Sequence, residues 1–188
     1  MGFVRRDTGT VIAAVLVAVA LVLVIGPGFT EPASAGETPC SRYGDKRPTE
    51  LEHKARNAVI CFINREREER GRGRLDRDSR LVTAARRHSE KMRDKGCFSH
   101  QCRGEVSVLQ RLKNVNYIVG GLSRWAYGEN IAWGTGSYGT PRQTVNAWMR
   151  SSGHRANILS GTFRDVGVGF AERNGKGYYT ADFGLRAG

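Results

Sequence analysis

FRDVGVGFAERNGKGYYTADFG, residues 163–184, decides the fold class. Val166, Val168 and Phe170 alternate with Gly167 and Gly169, the two-residue period of a strand. Asn174-Gly175 supplies what a tight hairpin turn demands, because both residues tolerate positive φ. Tyr178 to Phe183 is the returning strand. Working outward, the chain before residue 163 reads mostly as helix. Thr140-Pro141 opens a helix to about Arg150, a cap followed by proline at the first helical position. That helix buries Val145, Trp148 and Met149 in part, and Ser151-Ser152-Gly153 breaks it. Leu81, Ala85, His88 and Met92 form one stripe of a helix from about Ser79 to Lys95, capped by Asp78 or Ser79. His88 therefore reads as a satisfied core histidine. Leu51, Ala55, Ala58, Val59, Phe62 and Ile63 mark an earlier helix that Thr49 can cap, with Glu50 and Glu52 in its first turn. Its tail, Arg65 to Arg70, is charged and faces water, and Gly71 and Gly73 stop it. A short amphipathic helix over residues 106–113 presents Val108, Leu109 and Leu112. Ile131-Ala132-Trp133 reads as a short strand, residues 134–139 as a flexible polar loop, and residues 114–127 take no assignment. Helices first, a hairpin last and no βαβ alternation give an α+β fold, with helices packed on an antiparallel sheet.

The 188 residues divide unevenly. Arg5 and Arg6 precede an apolar run, residues 10–26, followed by Ala33-Ser34-Ala35. That is the pattern of a secretory signal peptide over residues 1–35. An uncleaved anchor is the alternative, although the run is short for a span of about 20 residues. Residues 36–48 read as an N-terminal arm and residues 49–188 as one domain. The leading segment holds two basic and two acidic residues, so the processed chain keeps the formal charge of +12. Such an excess suits an anionic surface, whether a wall polymer or lipid headgroups, or a plain solvated face. No aromatic-and-basic module for nucleic acid is legible, and no nucleic-acid partner is expected. Four cysteines in an exported chain read as two disulfides. Three pairings are open. The favoured one closes a small loop with Cys97–Cys102 and leaves Cys40–Cys61 to tie the arm to the first helix. No C-x-x-C zinc knuckle is present.

Three segments together resemble the CAP superfamily of cysteine-rich secretory, antigen 5 and pathogenesis-related proteins, in its small bacterial, SCP-like form. They are FSH at 98–100, preceded by AARRHSEKM at 84–92, then YGENIAWG at 127–134, then VNAWMRSSGHRANIL at 145–159 running into the hairpin. INREREERGRGRLDRDSRL at 63–81 also looks like the family's opening helix and turn. The resemblance implies an α-β-α sandwich, a central antiparallel sheet between helices, and a CAP domain over residues 49–188. It also implies a cavity lined by His100, Glu129 and His154. Many eukaryotic relatives carry a further glutamate on the helix before the second histidine, where this chain has Ser151 and Ser152.

Two imidazoles and a carboxylate are a ligand set that zinc or another divalent cation accepts, with water in the open position. His100, Glu129 and His154 are therefore the candidate metal ligands, and no catalytic residue is assigned. A metal-dependent or a Ser/His hydrolase is one alternative, with Ser99, Ser151 and Ser152 near the histidines in sequence, although no G-x-S-x-G elbow is present. Whether the chain is an enzyme is left open. The other alternative is a module that binds lipid or an anionic cell-envelope polymer, with the His/Glu set as a structural network. In that reading Asn130 and Asn157 fix loops, and Arg155 pairs with Asp165 or Asp182. Trp133, Trp148 and Tyr127 read as core or cavity wall. The expected location is extracellular or wall-associated.

Overall fold

A computed structural model describes residues 38–51 and 54–188. The expected signal segment and cleavage site lie outside them. Thr38 caps a one-turn helix, α1 (Pro39–Tyr43), inside the expected arm. Cys40 of α1 is bridged to Cys61, and Cys97 to Cys102, so the favoured pairing is the one that forms. Thr49 does not cap a helix. It lies in a 3-10 turn, Pro48–Glu50, where Glu50 turns back to accept the Arg47 amide at 2.8 Å. The first long helix, α2, spans Lys54–Glu68. A two-residue strand β1 (Asp76–Arg77) leads into α3 (Ser79–Lys95). Asp78 caps α3 by accepting from Arg80 N and Leu81 N, and Gly96 ends it at φ +60. After the Cys97–Cys102 loop come α4 (Val108–Asn114), β2 (Arg124–Thr135), α5 (Pro141–Arg150) and α6 (Ser152–Leu159). The hairpin follows as β3 (Asp165–Arg173) and β4 (Lys176–Ala187), turning at Asn174 and Gly175, both at positive φ.

The sheet order is β1-β3-β4-β2. β4 pairs antiparallel with β3 on one side and β2 on the other, while β1 adds a short parallel edge. Alternation divides the hairpin between two layers. Val166, Val168, Phe170, Tyr179, Ala181 and Phe183 point into a core with Val59, Ile63, Val145, Trp148 and Ile158 from α2, α5 and α6. On the opposite face α3 presses so closely that a side chain on Gly169 would meet the Ala85 carbonyl at 2.1 Å. Tyr178 and Ile131 join Met92 on that face, and Ser89 donates to Thr180 across it. Helices on both faces of one sheet make the expected sandwich.

Besides the Thr49 cap, three segments depart from the sequence reading. Arg67, in the α2 tail expected to face water, is buried. β2 is 12 residues long, where only Ile131 to Trp133 read as strand. After the break at Ser151 the chain enters helix again as α6. Both additions carry site residues.

Candidate functional site

Glu129 sits in the middle of β2 on the face turned toward α3. It is buried, and both of its oxygens are taken. His100 Nδ1 donates to Oε1 at 2.7 Å, and Arg111 Nη2 of α4 donates to Oε2. Arg111 is itself buried, and its Nη1 donates to the His100 carbonyl at 2.9 Å. One guanidinium thus holds both the carboxylate and the backbone of the loop that carries its histidine partner.

The network runs deeper. His88 of α3, fully buried as its stripe predicts, faces Glu105 through Nδ1 at 2.9 Å and Arg111 Nη1 at 3.0 Å. Arg111 has donors only, so Nδ1 either accepts from Arg111 or donates to Glu105, and one tautomer makes one of the two bonds. Glu105 also accepts the Cys102 amide at 3.1 Å, which fixes the disulfide loop. Across the ladder from Glu129 stands Asp182 of β4. It is 0% exposed, and among the described residues neither of its oxygens has a hydrogen-bond partner within geometric limits.

The electrostatics follow from this packing. Burial raises the Glu129 carboxyl, but the His100 hydrogen bond and the Arg111 charge outweigh it and hold the group below its usual range. The Glu129 hydrogen bond raises His100 against the opposing effect of burial. Burial, then the neighbouring Glu129 charge, pushes Asp182 well above a normal carboxyl, which favours its protonated form. His154, in the first turn of α6, is lowered by partial burial and then by the charge of His100.

The structure therefore brings His100 and Glu129 into direct contact and sets His154 within the electrostatic reach of His100. The two histidines come from opposite layers, and with β2 at the sheet's edge no further strand divides them. Asn130 Nδ2 donates to the His154 carbonyl at 3.0 Å, and Asn157 Nδ2 donates to Asn130 Oδ1 at 2.9 Å, so the two asparagines tie α6 to β2 and do not fix loops. Arg155 pairs with neither expected acid, since Asp165 accepts from the Tyr117 hydroxyl and Asp182 takes no bond. Among the described residues no hydroxyl of Ser99, Ser151 or Ser152 is hydrogen-bonded to a histidine; Ser99 Oγ accepts the Gln101 amide at 3.3 Å. Nor do three or more His, Cys, Asp or Glu side chains among them stand so as to hold a metal ion. A guanidinium holds one Glu129 oxygen and an imidazole the other.

Sequence reasoning missed Arg111, Glu105 and Asp182. Arg111 had a signal: it lies three residues from Val108 and beside Leu112, within the buried stripe of its helix. Trp148 is core, with its Nε1 donating to the Ile131 carbonyl at 3.0 Å. Trp133 and Tyr127 are not core. They share the Glu129 face of β2 with Trp125, and the three are 50%, 39% and 44% exposed. Trp125 and Tyr127 stack with centroids 6.2 Å apart, and Lys176 Nζ lies 3.9 Å from the centre of the Trp133 ring.

The chain is 36% identical to YkwD of Bacillus subtilis over 141 residues, 75% of this chain and 50% of that protein. It is 27% identical to the membrane protein YlbC of the same bacterium over 74% of this chain and 37% of YlbC. This chain thus spans half or less of the curated relatives it matches. Among solved structures, an extracellular SCP-domain protein from Bacillus anthracis matches with a TM-score of 0.60 at 25% identity, over 74% of this chain and 44% of that one. An outer surface protein of Borrelia burgdorferi matches with a TM-score of 0.57 at 18% identity, over 68% and 90%. The model of the cysteine-rich secretory protein family matches residues 61–183. That match spans more than half of the sequence, and the chain belongs to the CAP, or cysteine-rich secretory protein, family.

Proposed function

We propose that this protein is an extracellular or wall-associated binding module for an anionic cell-envelope polymer, gripped along the aromatic face of β2. The observation that carries the reading is the exposed, stacked pair Trp125 and Tyr127, with exposed Trp133 farther along the same strand face beyond the buried Glu129 and Ile131, on a chain with net charge +12. Exposed aromatic rings that adjoin one another are what a partner surface offers. They offer flat apolar platforms to a sugar or polyol backbone, while surrounding cations answer its charge. The Arg111–Glu129–His100 network supports this as a frame, because it fixes β2, α4 and the disulfide loop to one another. The test is co-sedimentation with purified cell walls, before and after acid extraction of their anionic polymer. Binding should fall about fivefold or more on extraction and in Trp125→Ala/Trp133→Ala, and persist in His100→Ala/His154→Ala. Capture by extracted walls, or by the tryptophan variant at full strength, would overturn the reading. Preferential binding to anionic vesicles over intact walls would move the partner to lipid.

A second reading is a divalent cation held by His100 and His154 in the cleft that the family resemblance implies. The observation favouring it is that His154 stands near enough to His100 for its charge, after partial burial, to lower the His154 pKa. Zinc titration calorimetry decides it: stoichiometric heat that disappears in His100→Ala/His154→Ala supports the site, and no heat from folded wild type removes it.

A further inference from the structure

Away from β2, four arginines converge where α2 ends. Residues 70–74 read RGRGR, and Arg164 follows Gly161 by three positions. Together Arg67, Arg72, Arg74 and Arg164, with intervening glycines, line a cavity of about 270 Å³. Arg67 forms its floor and is only 2% exposed. Its Nε donates to the Gly73 carbonyl at 2.7 Å, and its Nη1 to the carbonyls of Ile158 and Ser160 at 2.6 and 2.9 Å. None of these bonds uses Nη2. Arg164 curls back over its own turn, with Nη1 2.8 Å from the Gly161 carbonyl. Arg72 Nη1 lies beside Gly161, 3.5 Å from where a Cβ would stand. Among the described residues Arg74 has a carboxylate partner, Glu68 at 2.8 Å. Arg67, Arg72 and Arg164 have none.

Three guanidiniums around one hollow repel one another, and the repulsion is felt. After burial, the charges of Arg164 and Arg72 are what lower the Arg67 pKa. A negative ligand in the hollow would turn that repulsion into attraction. Planar N–H forks match the oxygens of phosphate, which they take in pairs. The floor is preorganised, because three backbone carbonyls hold the Arg67 side chain in place before any ligand arrives. The cavity has room for one phosphoryl group and a few carbon atoms.

We propose that this arginine pocket binds the phosphate group of a phosphomonoester or phosphodiester. The site stands on its own residues and does not rest on the reading of β2. Glycerol 3-phosphate is the probe, titrated into the whole chain by calorimetry at low salt. Saturable one-to-one binding is expected, weakened about tenfold or more in Arg72→Ala/Arg164→Ala, which keeps Arg67 and hence the bonds it makes. Arg72→Lys/Arg164→Lys keeps the charge without the forks and should also weaken binding severalfold, with unchanged thermal unfolding. Arg103→Ala/Arg173→Ala removes the same charge elsewhere and should change affinity less than about twofold. Trp125→Ala/Trp133→Ala should leave it unaltered, so failure here is separable from failure on β2. Equal losses from both arginine-to-alanine pairs, or no saturation, would overturn the site. Vesicles of phosphatidylglycerol that compete with the probe would assign the phosphate to a lipid headgroup; vesicles that do not would assign it to a polymer or soluble ester.

Discussion

Glu129 meets Arg111 on one oxygen and His100 on the other, and these partners differ in exposure. Arg111 is buried, whereas the His100 side chain is 54% exposed. Removing Arg111 leaves a buried carboxylate without a counter-charge, so Arg111→Ala should cost about 3–5 kcal/mol in urea unfolding. His100→Ala should cost about 1 kcal/mol or less, since water reaches its side of the pair. The reverse order would mean that the histidine, not the arginine, holds the site. The pH response follows from the same groups. Glu129 is lowered, so its contribution is present above the unfolded carboxyl value and is lost as pH falls through the lower folded one. His100 is raised, so its contribution is present below the unfolded histidine value and fades as pH rises through the folded one. Asp182 is raised, so the fold loses stability as pH climbs from the unfolded carboxyl value toward the folded one. Asp182→Asn keeps the shape without the titration. It should raise the melting temperature at pH 8 and leave it nearly unchanged at pH 3.5; a fall at pH 8 would show that Asp182 is ionised in a bond. Glu129, His100 and His154 were legible because short motifs carry them. Asp182 was not, since a lone acid within YYTADFG looks like any outward strand residue until β4 proves buried on both faces.

At the scale of elements, the final hairpin and three helices were readable from period and caps alone. β2 was not, because Gly128, Glu129 and Asn130 are poor strand formers and interrupt the apolar pattern. They are strand because β4 supplies twelve consecutive partners, from Arg124↔Ala187 to Thr135↔Lys176. α6 escaped for a different reason: Ser-Ser-Gly is a true break, and helix resumes beyond it. The glycines of VGVG read as strand alternation, yet they also set the spacing between layers. A methyl on Gly169 must push α3 off the sheet, so Gly169→Ala should destabilise by about 3 kcal/mol, measured by denaturant unfolding. A methyl on Gly153 would meet nothing within 4 Å, and its alanine variant should be within about 0.5 kcal/mol of wild type.

For the molecule as a whole, the two bridges constrain loops of different length. Cys40 and Cys61 are 21 residues apart and Cys97 and Cys102 only 5. Loop entropy puts the losses on replacing each pair by alanine at about 3 and about 2 kcal/mol. Equal melting temperatures with and without reductant would contradict both. The short bridge should matter more to the site than to stability, because Glu105 holds the Cys102 amide beside the network. The sheet order has a temporal consequence. β4 lies between β2 and β3 in space but follows both in the chain. As the polypeptide emerges from the ribosome, β2 has no partner, and β3 has only the two residues of β1, until residues 176–187 arrive. Until those residues arrive the sheet lacks its central strand, so the domain closes as one late event and not strand by strand.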